Sequence, residues 1–370
     1  MSDRKRGSGP VVVLGGSGSF GRLLIADLLV RTDLDIVSVT RSGIPADGWL
    51  PGSEGRLVDR RADAGDGAVI AAVLESLKPS VLVHAAGPYL KIGDAPLRCA
   101  IQHGVPYVDL CPSSRLYGEL RARFDAAARR ANVPCVLGAS TVGGITGVLT
   151  RHAHATLASV ERIRTVLCVH NFSWGAGTVA DYLLSARSHA LGFAPGSHPE
   201  TVFIPGKGYQ RVSLADTLEY ADDFRERVAD TEHRFGLDSI LPRLGMRLAE
   251  ACARIGLPVW RAAGLLGKCA GLLGGDRTEG GLLHRAFGAD ASGACVLETH
   301  VHRPFGNVRN PALLAALTAS ALAGGRSFSS GFVHPASWID PEALIAELRA
   351  RANVVRTRTV RSAAELDEPW

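Results

Sequence analysis

The chain reads as an α/β protein: a doubly wound parallel sheet, then a second α+β domain inserted before a carboxyl-terminal helix. Three observations predict this. The stretch "VVVLGGSGSFGRLL" (11–24) runs a buried strand through a glycine loop into a helix. Five more strand-like segments alternate with helical ones up to residue 140, the pattern of strands that need crossover helices. Beyond residue 150 the alternation gives way to longer strands and long apolar stretches, and 370 residues are too many for one simple core. The expected division is 1–145 for the parallel-sheet domain and 146–310 for a substrate or dimerisation domain. A return segment, 311–352, should pack back on the first domain, and 353–370 should form a tail.

The elements follow in order. Val11–Leu14 is short, apolar and mostly β-branched, as a strand buried on both faces requires. "RLLIADLLVR" (22–31) has apolar residues at helical spacing, and "DIVSVT" (35–40) is the second strand. "RLVDRRADAGD" (56–66) supplies a third strand and "SVLVH" (80–84) a fourth. Helix 96–103, strand 105–110, helix 119–132 and strand 133–140 complete six strands.

Within the strand–loop–helix–strand unit, Gly16, Gly18 and Gly21 fit G-x-G-x-x-G, the dinucleotide fingerprint of a Rossmann-type sheet. The first glycine would permit the turn, the second the approach of a pyrophosphate, the third close packing of helix on strand. Gly16, Ser17, Gly18, Ser19, Phe20 and Gly21 then face the phosphates, at a helix start that favours anions. Gly15, Gly18 and Gly21 also fit the G-x-x-G-x-x-G of short-chain dehydrogenases, but no tyrosine is followed four residues later by the lysine those enzymes use. At the end of the second strand, where an NAD site carries an acid, stand Thr40, Arg41 and Ser42. A cation and two hydroxyls suit a 2′-phosphate, so NADP is expected ahead of NAD. Asp63 follows the third strand, near where an adenine would lie, and Ala85, Ala86, Gly87 and Pro88 offer a small-residue loop against which a cofactor can rest.

The motifs "GGSGSFG" (15–21), "HAAGPYLKIGDAPLRCAIQHGVPYVDL" (84–110) and "GASTVGGITG" (138–147) together resemble the saccharopine-dehydrogenase-like oxidoreductases. The resemblance covers about 10–150 and resumes at "LTASALAGGRSFSSGFVHP" (317–335). It implies NAD(P)-linked hydride transfer. In saccharopine-forming members a Tyr, an Asp and a Cys lie near the nicotinamide; Tyr89 and Asp109 match the first two, while Ala139 and Ser140 stand where the Cys would be. Tyr89 and Asp109 are therefore candidates to relay a proton as hydride reaches carbon. The alternative has Tyr89 packing against the ring and Asp109 capping the next loop.

In the second half, "SVERIRTVLCVHNFS" (159–173), "ETVFIPGKGYQRV" (200–212) and "ACVLETHVHRPF" (294–305) read as strands of an antiparallel sheet. His170, next to "SWGAGT", is the candidate acid of this half, and Lys207 and Tyr209 sit on an expected hairpin. His300 and His302 share a strand face with no third ligand evident, so no metal is expected. Residues 236–274 are apolar and carry Arg243, Arg247, Arg254, Arg261 and Lys268; they read as helices over a cleft or dimer interface, and as a basic amphipathic stretch also fit a membrane surface.

A net charge of +5 is mildly basic, with arginines scattered rather than clustered, so nucleic acid is not an expected partner. Seven widely spaced cysteines without C-x-x-C argue for reduced thiols in the cytoplasm. The longest apolar candidate, "PALLAALTASALAGG" (311–325), falls short of the roughly 18–20 residues of a spanning helix. The expected function is an NADP(H)-dependent reductase, active as a homodimer, acting on a C=N, C=O or C=C bond of a small metabolite. A redox-neutral epimerase or lyase that retains its nicotinamide, and a non-catalytic dinucleotide-binding protein, remain open alternatives.

Overall fold

The computed structural model describes residues 9–43, 53, 55–111, 113–169, 177, 179–181, 198–205, 207–215, 228, 230–237, 243–245, 247–249, 251, 255, 280–303, 309–351, 353–362 and 364–367. They form two compact units. The first comprises Met1–Cys111, Leu116–Thr141 and Val308–Trp338, and the second Pro112–Arg115, Val142–Asn307 and Ile339–Trp370.

The first unit is built on seven parallel strands. In chain order they are β1 (Val11–Leu14), β2 (Ile36–Thr40), β3 (Leu57–Arg61), β4 (Val81–His84), β5 (Tyr107–Asp109), β6 (Pro134–Val136) and β13 (Gly331–Val333). Their spatial order is β13-β6-β5-β4-β1-β2-β3. The first six are those read from the sequence; the seventh, of three residues, was hidden in the return segment. β1 lies at the centre, paired with β2 on one side and β4 on the other. All four of its residues are fully buried, hence its unbroken apolar run. The winding direction reverses between β1 and β4, which opens a crevice outside their carboxyl ends.

Helix α1 (Ser19–Arg31) turns Gly21, Leu24, Ile25 and Leu28 inward, the i, i+3, i+4, i+7 stripe of an amphipathic helix. It packs on the later helix Arg309–Ala323, whose Ala312–Ala316 run is fully buried. Helix α2 (Gly67–Leu77) packs on α4 (Ala95–Gln102), and its start is capped by Asp66, whose carboxylate accepts from the Ala68 and Val69 amides. The single-turn α3 (Tyr89–Ile92) precedes α4, and α5 (Ser114–Arg130) joins β5 to β6.

The second unit carries a curled sheet in the order β14-β12-β11-β7-β10-β9-β8. Its strands are β7 (Ser159–Val169), β8 (Glu200–Ile204), β9 (Gly208–Leu214), β10 (Asp230–Leu237), β11 (Gly280–Asp290), β12 (Gly293–Arg303) and β14 (Val354–Val360). The sheet is mixed rather than antiparallel throughout, because β10 runs parallel to β7. Helix α6 (Thr146–Thr156) covers one face, where Ala153, Leu157, Ile163, Ala286 and Leu297 form an apolar cluster. The helix read at 309–323 is α7, and α8 (Pro341–Ala350) packs on α6 and β14.

On the other face of this sheet, Glu232, Arg164, Arg285, Glu298 and Arg358 stand side by side across five strands. Glu298 is 1% exposed, and its oxygens accept from Arg285 Nε at 2.5 Å and Arg358 Nε at 3.0 Å. Arg234 and Arg164 share Glu200 and Glu232. Buried charges survive here because each meets an opposite one.

Three expectations need correction. The return segment ends at Trp338, and α8 belongs to the second unit. Residues 354–360, expected in a tail, form an edge strand of the second sheet, with Val355 and Val360 buried and charged residues between them. Gly236 and Leu237 end β10 rather than opening a helix. Residues 243–245 and 247–249 are helical, and the rest of 236–274 lies largely outside the described residues.

Candidate functional site

The carboxyl ends of β2, β1, β4, β5 and β6 bring five loops to one edge of the first unit's sheet. The glycine loop follows β1. Its turn is made by Gly15, at φ +80°, whereas the sequence assigned the turn to Gly16. A Cβ on Gly15 would also fall 2.6 Å from the Ala86 Cα, so the absent side chain lets the loops after β1 and β4 touch. Gly16 is needed for packing instead: a Cβ there would lie 2.1 Å from Ser38 Oγ. Gly21 sits against the Gly15 carbonyl, where a Cβ would come within 2.1 Å. Thus three glycines serve the fold. Gly18 differs, since a Cβ there would meet only the Gly15 carbonyl oxygen, at 3.2 Å, and the residue is exposed.

Gly18 caps α1, and the first helical amide to find its i−4 carbonyl is that of Arg22, at 3.0 Å from the Gly18 oxygen. Helix geometry leaves the amides of Ser19, Phe20 and Gly21 pointing out of the helix start, with no acidic residue in that first turn. The Ser17 carbonyl is held by Arg22 Nε at 3.1 Å. Open glycine, outward amides and small neighbours Ala85 and Ala86 make a donor set that fits an anionic pyrophosphate.

At the end of β2 the Thr40 hydroxyl accepts the Gly43 amide at 2.9 Å and lies 3.4 Å from Asp59 Oδ1, while Arg41 and Ser42 are exposed. Thr40, 4% exposed, is thereby a turn-former rather than an open hydroxyl. Asp63 is exposed, and its carboxylate accepts the Gly65 amide at 2.9 Å. The Gly87–Pro88 peptide is cis and leads into α3.

Tyr89 and Asp109 come into one buried network. The Tyr89 hydroxyl donates to the His84 carbonyl at 2.7 Å and accepts the Leu110 amide at 3.3 Å. Asp109 Oδ1 accepts the amides of Cys111 at 3.0 Å and Gly138 at 2.8 Å, which ties the loops after β5 and β6 together. Burial pushes the Asp109 carboxyl up to about 6, against the opposing pull of those two amides and the Tyr107 hydroxyl. The Tyr107 hydroxyl also meets His84 Nδ1 at 2.9 Å, and burial drives that imidazole down to about 3, so it is neutral.

His84 and Tyr107 were not singled out from the sequence. His84 ends β4 and Tyr107 opens β5, and only the register that sets His84 opposite Asp109 and Leu82 opposite Tyr107 brings them together. His170 lies outside the described residues. In the second unit Lys207 closes the β8–β9 hairpin through its amide to the Ile204 carbonyl at 2.9 Å, and His300 and His302 stack at 5.7 Å. Among the described residues, no three metal-ligating side chains gather.

The saccharopine dehydrogenase (L-Glu forming) of Saccharomyces cerevisiae superposes on this chain with a TM-score of 0.67 at 12% identity, over 96% of this chain and 100% of that one. The fold is that of saccharopine dehydrogenase. An amine dehydrogenase from Mycobacterium smegmatis is also similar, with a TM-score of 0.51 at 14% identity, over 90% of this chain and 97% of that one. No protein-family model and no curated protein sequence matches the chain. The likeness of fold agrees with the saccharopine-dehydrogenase resemblance of the sequence motifs.

Proposed function

We propose that this chain is an oxidoreductase that binds NADP(H), in preference to NAD(H), and reduces a C=N, C=O or C=C bond of a small metabolite. The observation that carries this reading is the β1–α1 loop, where three glycines are required by packing and the fourth, Gly18, is left open beside outward helix amides. In this reading Gly16–Gly21 hold the pyrophosphate, Arg41 and Ser42 meet the 2′-phosphate, with Thr40 shaping their turn, and Asp63 lies near the adenine. Ala85, Ala86, Gly87 and Pro88 form the wall for the nicotinamide end, which supplies the hydride when the cofactor is bound.

Tyr89 and Asp109 are assigned to positioning. The Tyr89 hydroxyl already serves two backbone groups, and Asp109 serves two amides and a phenol. Each therefore stabilises the loops that form the floor of the crevice, and proton delivery falls to another group, of which His170 is the candidate. Among the described residues, Cys99, Cys111, Cys135, Cys168 and Cys295 are buried and free, which supports a reducing compartment, the cytoplasm, and a homodimer is the proposed assembly. Among the described residues, no helix is long and apolar enough to cross a membrane.

The test is oxidation of NADPH by the purified protein against a panel of imines, ketones and enoyl compounds. Turnover with one class, faster with NADPH than NADH, is the expected result; absence of turnover and of nucleotide binding would overturn the reading. Tyr89→Phe and Asp109→Asn should keep near-normal turnover. A loss of roughly a hundredfold with nucleotide binding intact would return them to proton transfer.

A further inference from the structure

The end of β3 carries a cation that the motif at the end of β2 does not reveal. Arg61 pairs in register with Thr40, and the Ala62 amide donates to the Thr40 carbonyl at 2.9 Å, so the two strand ends are locked side by side. The chain then turns at Gly43, which adopts φ +80° while its amide closes on the Thr40 hydroxyl. A Cβ at Gly43 would fall 2.9 Å from Arg61 Nε, 3.3 Å from Arg61 Nη2 and 3.0 Å from Asp59 Oδ2. The glycine therefore does two things: it takes a backbone conformation that other residues resist, and it leaves room for the Arg61 guanidinium to lie against the 40–43 turn. Arg60, on the opposite face of β3, points elsewhere, with Nη1 3.4 Å from Ser76 Oγ.

We propose that Arg61 is the second cation, with Arg41, of a clamp for a phosphate monoester at this turn: the 2′-phosphate of NADP(H). The inference rests on the NADP(H) reading above. A guanidinium has donors and no acceptor, so two of them at one exposed turn select an oxyanion over a ribose diol. Among the described residues, the acid against the turn is Asp59, with Oδ1 3.4 Å from the Thr40 hydroxyl and Oδ2 3.0 Å from the Gly43 Cβ position. One such carboxylate against two guanidinium groups leaves the turn cationic. Both arginines are exposed, so the ligand reaches them without rearrangement of the core.

The test uses the full-length protein and two fragments, 2′,5′-ADP and 5′-AMP, titrated by calorimetry into the parent, Arg61→Ala, Arg61→Lys and Arg41→Ala. The parent should prefer 2′,5′-ADP. Arg61→Ala should weaken 2′,5′-ADP about tenfold or more, the scale of a charge-assisted hydrogen bond, and leave 5′-AMP unchanged. Arg61→Lys should recover part of the loss, and the difference should shrink as salt rises. An Arg61→Ala protein that keeps the parent's preference overturns the role of Arg61 while the NADP(H) reading stands. Equal weakening of both fragments also overturns it, because Arg61 would then merely support the loop. A parent that binds 5′-AMP as tightly as 2′,5′-ADP overturns the NADP(H) reading itself.

Discussion

Replacing Asp109 by Asn should change how stability depends on pH, in a direction fixed by burial. In an unfolded chain the carboxyl titrates near 3.8; in the folded protein burial raises it to about 6. Between those values the folded state keeps the proton that the unfolded state has released. Stability therefore falls as pH rises through this window and levels off above about 6. The raise corresponds to about 3 kcal/mol, at roughly 1.4 kcal/mol for each pH unit. Asparagine has no proton to lose, yet its Oδ1 still accepts the Cys111 and Gly138 amides. Its NH2 group can donate to the Tyr107 hydroxyl, which then donates to His84 Nδ1. Urea denaturation of both proteins from pH 4 to pH 8 is the assay. Asp109→Asn should gain on the parent by about 3 kcal/mol across that range, with the gain complete by neutral pH. Parallel pH curves for the two proteins would refute the argument, because they would mean that the carboxyl titrates alike folded and unfolded.

Four further outcomes are expected. Gly18→Val should fold normally, since only the Gly15 carbonyl lies near the new side chain, yet lose tenfold or more in NADPH affinity by fluorescence titration; unchanged affinity would remove the loop from the cofactor site. Arg41→Ala should weaken NADPH binding about tenfold and spare NADH, and equal losses would sink the 2′-phosphate assignment. Tyr89→Phe leaves the His84 carbonyl and the Leu110 amide without their shared partner, so denaturation should show a loss of about 1–3 kcal/mol. Glu298→Gln leaves Arg285 and Arg358 facing no charge in a buried site and should cost about 3–5 kcal/mol; a change below about 1 kcal/mol would show that the row tolerates neutralisation.

The parallel sheet was legible because burial on both faces writes itself as unbroken apolar runs, such as Val11–Leu14 and Val81–Val83. The strands that escaped notice carry other signatures. "DTEHRFGL" (230–237) and "VVRTRTV" (354–360) look solvated, because their charged residues are those of the buried ionic row or of a sheet edge. Arg285 and Glu298 are ordinary surface residues in composition; only strand register makes them partners. The same holds at the candidate site. Glycine spacing marked the loop after β1, but which glycine turns the chain depended on the Ala86 backbone, 71 residues later. Asp109 was visible as a polar strand end, whereas its bond to the Gly138 amide required the neighbouring strand to be in place.

The late arrival of β13 bears on how the protein is made. Six strands of the first sheet are specified by residue 136, but the seventh, pairing Phe332 with Cys135 and Val333 with Val136, is encoded after the whole second sheet except β14. At about 5–20 residues per second, a ribosome takes roughly 10–40 s to cover that gap. For that time β6 is an open edge on a nascent chain, the kind of surface that recruits a foreign strand. Its three residues and its leading Pro134, which offers no amide, leave little for an intruder to pair with. A ribosome stalled before Gly331 would hold the first sheet one strand short, guarded by that brevity until the chain returns.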